Sequence, residues 1–333
     1  REEQPSFVKP HLIGSSIFYK DNYGNLWVVN EEGLTLIERK SLFKKVYYPL
    51  NESISNFQEG VFGVHSKYDI ISTYTSLLVV ERFSQKVFKR ISRDKEGFPI
   101  RVIYMLNGES GIMAKGNRAI YSLDTNSWEL RKVFHYEQEG KKVLLNGKFT
   151  IQGDFVWVGT KNNIVYRANR SSKELTSFIV DNAFESKTNL IYEMVSFRGR
   201  IWCLASTGTY IFDPNLMKFV RAEKEYEALQ LVQEDLAYAF ASYKDRYLYW
   251  GVPGKGIYIY DAKLNKLKQL TDKVFKGLGS YDCYFHENYI LIPSIQGLVT
   301  VNLDGFKYRV FNQFMGLGNP NLLYDRISIG KND

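Results

Sequence analysis

The stretch from Ile17 to Val46 limits what this chain can become. Ile17 to Lys20, Leu26 to Asn30 and Leu34 to Glu38 are short runs rich in β-branched, aromatic and aliphatic residues, separated by the turn clusters Asp21-Asn22-Tyr23-Gly24-Asn25 and Glu31-Glu32-Gly33. Such punctuation predicts strand, tight turn, strand, tight turn, strand. One small antiparallel sheet buries too little apolar surface to offset the entropy of ordering it, so its fate depends on whether it recurs.

It does recur. With Trp27 as marker, Ile71, Ile112, Trp157, Trp202, Tyr249 and Leu291 occupy equivalent apolar runs, at successive spacings of 44, 41, 45, 45, 47 and 42 residues. Each run is followed by a second one, such as Ile164 to Arg167 after Trp157 and Gly256 to Tyr260 after Tyr249. This spacing suits a four-stranded propeller blade. The expectation is therefore all-β: a seven-bladed β-propeller of four-stranded antiparallel blades over residues 1–311, each marker on its unit's second strand. Both end units supply four strands, so closure needs no borrowed strand. Trp27, Trp157, Trp202 and Tyr249 are expected in the cores between blades.

No Pro-, Gly- or Ser-rich linker interrupts the period across the 333 residues, which favours a single ring. The 24 Tyr and 22 Phe also suit strands better than helices. The exception is Ala222 to Glu234, where Tyr226, Leu229 and Val232 share a helical face and predict a helix decorating a connecting loop. Polar corners, among them Asp124-Thr125-Asn126, Asp213-Pro214-Asn215 and Asp261-Ala262-Lys263, should close each third strand onto its fourth. Cys203 and Cys283 fall in units that are not neighbours and are expected to be buried free thiols. No run reaches the length of a membrane span and no signal-peptide pattern opens the chain, whose first residue, Arg1, reads as the start of a processed piece.

Catalytic patterns are sparse. The four histidines, His11, His65, His135 and His286, lack metal-ligand spacing, and neither cysteine forms a Cys-x-x-Cys pair, so no metal and no cofactor is expected. Gly108-Glu109-Ser110-Gly111 lacks the spacing of a nucleophile elbow, and Gly316-Leu317-Gly318 lacks a third glycine and a βαβ setting. Of the 36 acids none recurs at an inward-facing position, as a two-carboxylate glycosidase would need, so no catalytic residue is assigned. The net charge of +8 is spread in pairs no longer than Lys44-Lys45, Arg131-Lys132 and Lys141-Lys142. No groove-filling helix accompanies it, so nucleic acid is not expected as a partner.

In a propeller the turns between second and third strands open on one face. The ligand-binding candidates there are Tyr74, Arg118, Lys161, Asn162, Lys255 and Gln296. Tyr74 suits a sugar ring, and Arg118, Lys161 and Lys255 suit carboxylate or sulfate.

Asp21-Asn22-Tyr23-Gly24-Asn25-Leu26-Trp27 with Gly33-Leu34, the weaker copies Gly153 to Thr160 and Arg198 to Trp202, and Phe212-Asp213-Pro214-Asn215 resemble the two-component regulator propeller repeat. Phe314 to Leu322 looks like the connector preceding a blade in that family, with Met315 in place of Asp. Residues 312–333 are then a connector and the first strand of a following blade or propeller. The resemblance implies a periplasmic or extracytoplasmic, non-catalytic sensing propeller of a Bacteroidetes regulator, responding to an oligosaccharide that the basic charge allows to be acidic. Its implied partners are a second propeller and downstream domains of the same parent chain, with room for a homodimer through regions outside this sequence. Unit one also resembles the Asp-box of sialidases, although Tyr19 stands where that motif has Ser. The alternatives are thus a polysaccharide-active hydrolase or lyase and a structural propeller for docking proteins.

Overall fold

The computed structural model describes residues 67–311 apart from short internal stretches, and before them only the backbone of strands within 17–64. Six four-stranded antiparallel blades follow one another, spanning 62–91, 102–135, 145–179, 191–221, 239–270 and 284–311. In every blade the spatial order of strands is their order in sequence. The first strands of neighbouring blades approach one another, as Leu145–Gln152 does Ile191–Phe197 and Ile191–Phe197 does Ala239–Tyr243. First strands therefore lie innermost. The markers Ile71, Ile112, Trp157, Trp202, Tyr249 and Leu291 all fall on second strands.

Each blade is apolar on both faces, and strand alternation decides which neighbour a residue meets. Val156 and Val158 pack with Met113, Ile120 and Phe134 of blade 102–135. Trp157, between them, packs the other way with Cys203, Phe212 and Phe219 of blade 191–221. Trp202, Leu204 and Ile211 in turn join Phe240, Leu248 and Trp250 of blade 239–270. This two-sided burial is why the second strands read as nearly continuous apolar runs, and each fully buried large aliphatic or aromatic side chain stabilises the stack by about 1.5–3 kcal/mol.

The expected seven-bladed ring is corrected to a propeller of six blades. Ile17–Lys20, Leu26–Asn30, Gly33–Ile37 and Lys44–Val46 do pair as a four-stranded sheet. The buried clusters link the six blades from 62–91 to 284–311 in succession. A sequence period counts hairpin units, whereas which of them share a core is decided by contacts between sheets. The side chain of Trp27 and residues 312–333 lie outside the described residues.

The helix expected over Ala222 to Glu234 is also corrected. The segment forms two 3₁₀ turns, Ala222–Lys224 and Glu227–Leu229, and one α-turn, Gln230–Gln233. Tyr226 interrupts it at φ −127°, ψ 86°. Leu229 and Val232 are buried with Trp202 and Tyr260, as their spacing suggested, but the chain bends to seat them between two blades. Arg200 pairs with Glu225 at one end of the segment, and Lys255 with Asp235 at the other.

The polar corners follow one rule in five blades. Asp124, Asn169, Asp213, Asp261 and Asn302 accept backbone N–H bonds from the residue two positions on, at 2.8–2.9 Å. Four positions after each, the backbone is left-handed: Trp128, Lys173, Met217, Asn265 and Phe306 have φ of 49–63°. Lys173 is exposed, so Lys173→Gly relieves the left-handed strain without loss of packing. It is expected to raise the denaturation midpoint, stabilising the chain by about 0.5–1 kcal/mol net of the entropy glycine adds to the unfolded state. A lowered midpoint would refute the strain assignment.

Burial alone would raise the Asp261 carboxyl, but Arg246 and the N–H groups of Lys263 and Leu264 hold it below the usual range. Asp124 is lowered by the N–H groups of Asn126 and Ser127. Groups with depressed folded-state pKa contribute stability above the ordinary carboxylate value of 3.8. That contribution is lost as pH falls through 3.8 toward the lower folded value. Urea midpoints measured from neutral pH downward should drop in that window, and less so in Asp261→Asn.

Both cysteines are free and buried, in different inter-blade clusters. Burial pushes the Cys203 thiol up, so it is unreactive as a nucleophile.

Candidate functional site

The turns between second and third strands and the connections between blades share one end of the propeller. At that end, three consecutive blades interrupt the ladder between first and second strands. The register shifts between Lys115 and Gly116 opposite Tyr104 and Val102, between Asn146 and Phe149, and between Ile191 and Glu193. Such bulges bend the strand and re-aim the extruded residues, here Gly147 with Lys148 in one blade and Tyr192 in the next.

A charged relay runs across these bulges. Lys115 is fully buried at the end of the otherwise apolar strand Gly111–Gly116, and its Nζ donates to the carbonyl of Gly147. The same peptide unit presents the N–H of Lys148, which donates to Glu193 Oε2 at 3.1 Å. An ammonium from blade 102–135 and a carboxylate from blade 191–221 therefore hold opposite ends of one peptide dipole in blade 145–179. That arrangement offsets part of the cost of burying both charges.

Buried polar groups of other blades are bonded in the same way. Ser72 Oγ donates to Val102 O at 2.7 Å, Trp250 Nε1 to Thr209 Oγ1 at 2.9 Å, and Ser294 Oγ to Gly297 O at 2.8 Å. Asp235, 7 % exposed, pairs with Lys255 and accepts the Tyr258 hydroxyl at 2.6 Å, while Gln269 donates to that hydroxyl at 2.8 Å. Burial and then the Asp235 carboxylate raise the Tyr258 phenol well above its usual value, so it stays protonated as a donor. Half-buried Tyr192 and Tyr238 meet edge to face, 5.2 Å between ring centroids, where the inner strands of blades 191–221 and 239–270 begin.

Of the ligand-binding candidates, Lys161 and Asn162 lie exposed on the turn after Phe155–Thr160, whose Thr160 Oγ accepts the Asn162 N–H at 3.1 Å. Lys255 is on the corresponding turn of blade 239–270, with its ammonium engaged by Asp235. Tyr74, Arg118 and Gln296 lie outside the described residues. Trp157, Trp202 and Tyr249 are 3 %, 0 % and 0 % exposed. Sequence reasoning did not single out Lys115, Glu193, Gly147, Tyr192 or Tyr238. The one available signal was a lysine closing the apolar run Ile112-Met113-Ala114-Lys115. Bulges have no sequence signature that would have shown the rest.

No protein-family model and no curated protein sequence matches the chain. Among solved structures, it is similar to dihydro-heme d1 dehydrogenase NirN in complex with DHE, with TM-score 0.58 and 10 % identity over 89 % of this chain and 65 % of that one. It is similar also to the computationally designed Ika8 protein, with TM-score 0.51 and 8 % identity over 74 % of this chain and 71 % of that one. A weaker likeness, with TM-score 0.41 and 10 % identity, covers 88 % of this chain and 52 % of the extracellular domain of a proposed one-component system from B. thetaiotaomicron. Likeness at these identities is one of fold. No helix among the described residues is long and apolar enough to cross a membrane.

Proposed function

We propose that this chain is a ligand-recognition propeller of a signal-transduction regulator, acting outside the cytoplasm and binding an oligosaccharide without transforming it. The observation that carries this reading is the Tyr192–Tyr238 pair, two half-buried rings beside a bulged, polar strand end. Aromatic faces next to a few fixed polar groups are what a sugar ring needs. The repeat resemblance supports the regulatory context, including a second propeller and further domains in the parent chain. The buried carboxylates at this end, Glu193 and Asp235, are already engaged by the Lys148 N–H and by Lys255 with Tyr258, which favours binding over acid–base chemistry.

Calorimetry against neutral and acidic oligosaccharides, with chromatography of the recovered glycan, tests this. Saturable binding with the glycan returned intact is expected, weakened at least about tenfold, or about 1.4 kcal/mol, in Tyr238→Ala. Cleaved product would favour the hydrolase or lyase reading. No binding, together with a defined complex once a carboxy-terminal region is attached, would favour a docking propeller.

A further inference from the structure

Between blades 145–179 and 191–221 lies a cation with no acid paired to it among the described residues. Arg167, half-buried on the third strand Ile164–Asn169, has its guanidinium carbon 4.9 Å from the Phe155 ring centroid, 5.4 Å from Phe178 and 5.6 Å from Trp157. Phe212 and Phe219 of the next blade extend the same aromatic cluster. Among the described residues, Arg167 makes one long hydrogen bond, 3.4 Å to Thr176 Oγ1, and its buried Nε has no partner. The indole Nε1 of Trp157, in a residue only 3 % exposed, is likewise without one.

Other arginines are differently placed. Arg200 grips Glu225 with two nitrogens, Arg246 grips Asp261, and Arg198 holds the carbonyls of Asp245 and Ala262. A guanidinium and an indole are donors only, so whatever satisfies them must bring acceptors. A half-buried positive charge among aromatic rings also favours a negative partner. The planar fork of arginine matches a carboxylate, and the surrounding rings lower the local dielectric and strengthen the pair.

We propose that this aromatic-walled cluster binds a carboxylate, held by Arg167 with Trp157 supplying a further N–H. The site is separate from the bulged strand end and does not depend on the function proposed above. Its ligand is a free organic acid or the uronate of an acidic sugar.

The test follows the indole N–H signals of the folded chain by NMR, assigned through Trp157→Phe, during titration with glucuronate, acetate and glucose at constant ionic strength. A saturable shift of the Trp157 signal with glucuronate and none with glucose is expected. An equal shift with acetate identifies any carboxylate as sufficient, and a shift with glucuronate alone identifies the acidic sugar. Arg167→Met keeps the stem packed and should weaken binding at least about tenfold. Arg167→Lys, which keeps the charge but loses the fork, should weaken it too. The proposal is overturned if no carboxylate moves the Trp157 signal, or if a folded Arg167→Met chain binds as well as the parent.

Discussion

Gly147→Ala is expected to be the most damaging single substitution at the bulged end. Gly147 has φ +58°, which an alanine adopts at a cost of about 1 kcal/mol. The larger cost is steric: a Cβ there would fall onto the backbone carbonyl of Tyr192 in the next blade. Backbone does not yield as a flexible side chain does, so the two inner strands must part. Parting them breaks the hydrogen bonds from Lys115 to Gly147 O and from Lys148 N to Glu193 across three blades. A loss of at least about 4 kcal/mol, or failure to fold, is expected by urea denaturation. Gly153→Ala, just past the other end of the same strand, is the control, because its φ is also positive, at 55°, but nothing lies within reach of its Cβ. Equal losses in the two variants would show that strain alone is at work and that the relay contributes nothing.

The second large effect is expected at Trp202. Its side chain is fully buried against Phe197 and Tyr226, at 5.6 and 5.2 Å between centroids. Trp202→Ala should cost about 3–5 kcal/mol through lost burial and the cavity left behind. Trp202→Phe should cost much less than its missing volume suggests. The indole Nε1 has no hydrogen-bond partner among the described residues, and removing it recovers a desolvation penalty of about 1–3 kcal/mol. Paired denaturation curves decide this. If Trp202→Phe loses as much as Trp202→Ala, the orphan N–H contributes no penalty and the account of this core fails.

These two positions differ in how far they could be read in advance. Trp202 stands at a repeat marker inside an apolar run, and strand alternation then places it in a core. Gly147 sits in Leu145-Asn146-Gly147-Lys148, which looks like any strand entry. Its constraint comes from a chain segment 45 residues away, since Tyr192 − Gly147 is one repeat period. Likewise Lys255 reads as a free cation in a turn until the folded chain brings Asp235 to it, and Arg167 reads as an ordinary strand residue until three rings surround it.

Local chemistry thus determined the four-stranded unit, its repetition, the strand that carries each marker and the Asp or Asn corners. All of these depend on residues within a few positions of one another, through side-chain alternation and turn dihedrals. Only the tertiary structure decided that six blades share continuous cores, that Ala222 to Glu234 is bent rather than helical, and which charges find partners. Those outcomes depend on contacts between blades, and a repeat leaves such contacts open because each copy carries the same local instructions whatever lies beside it.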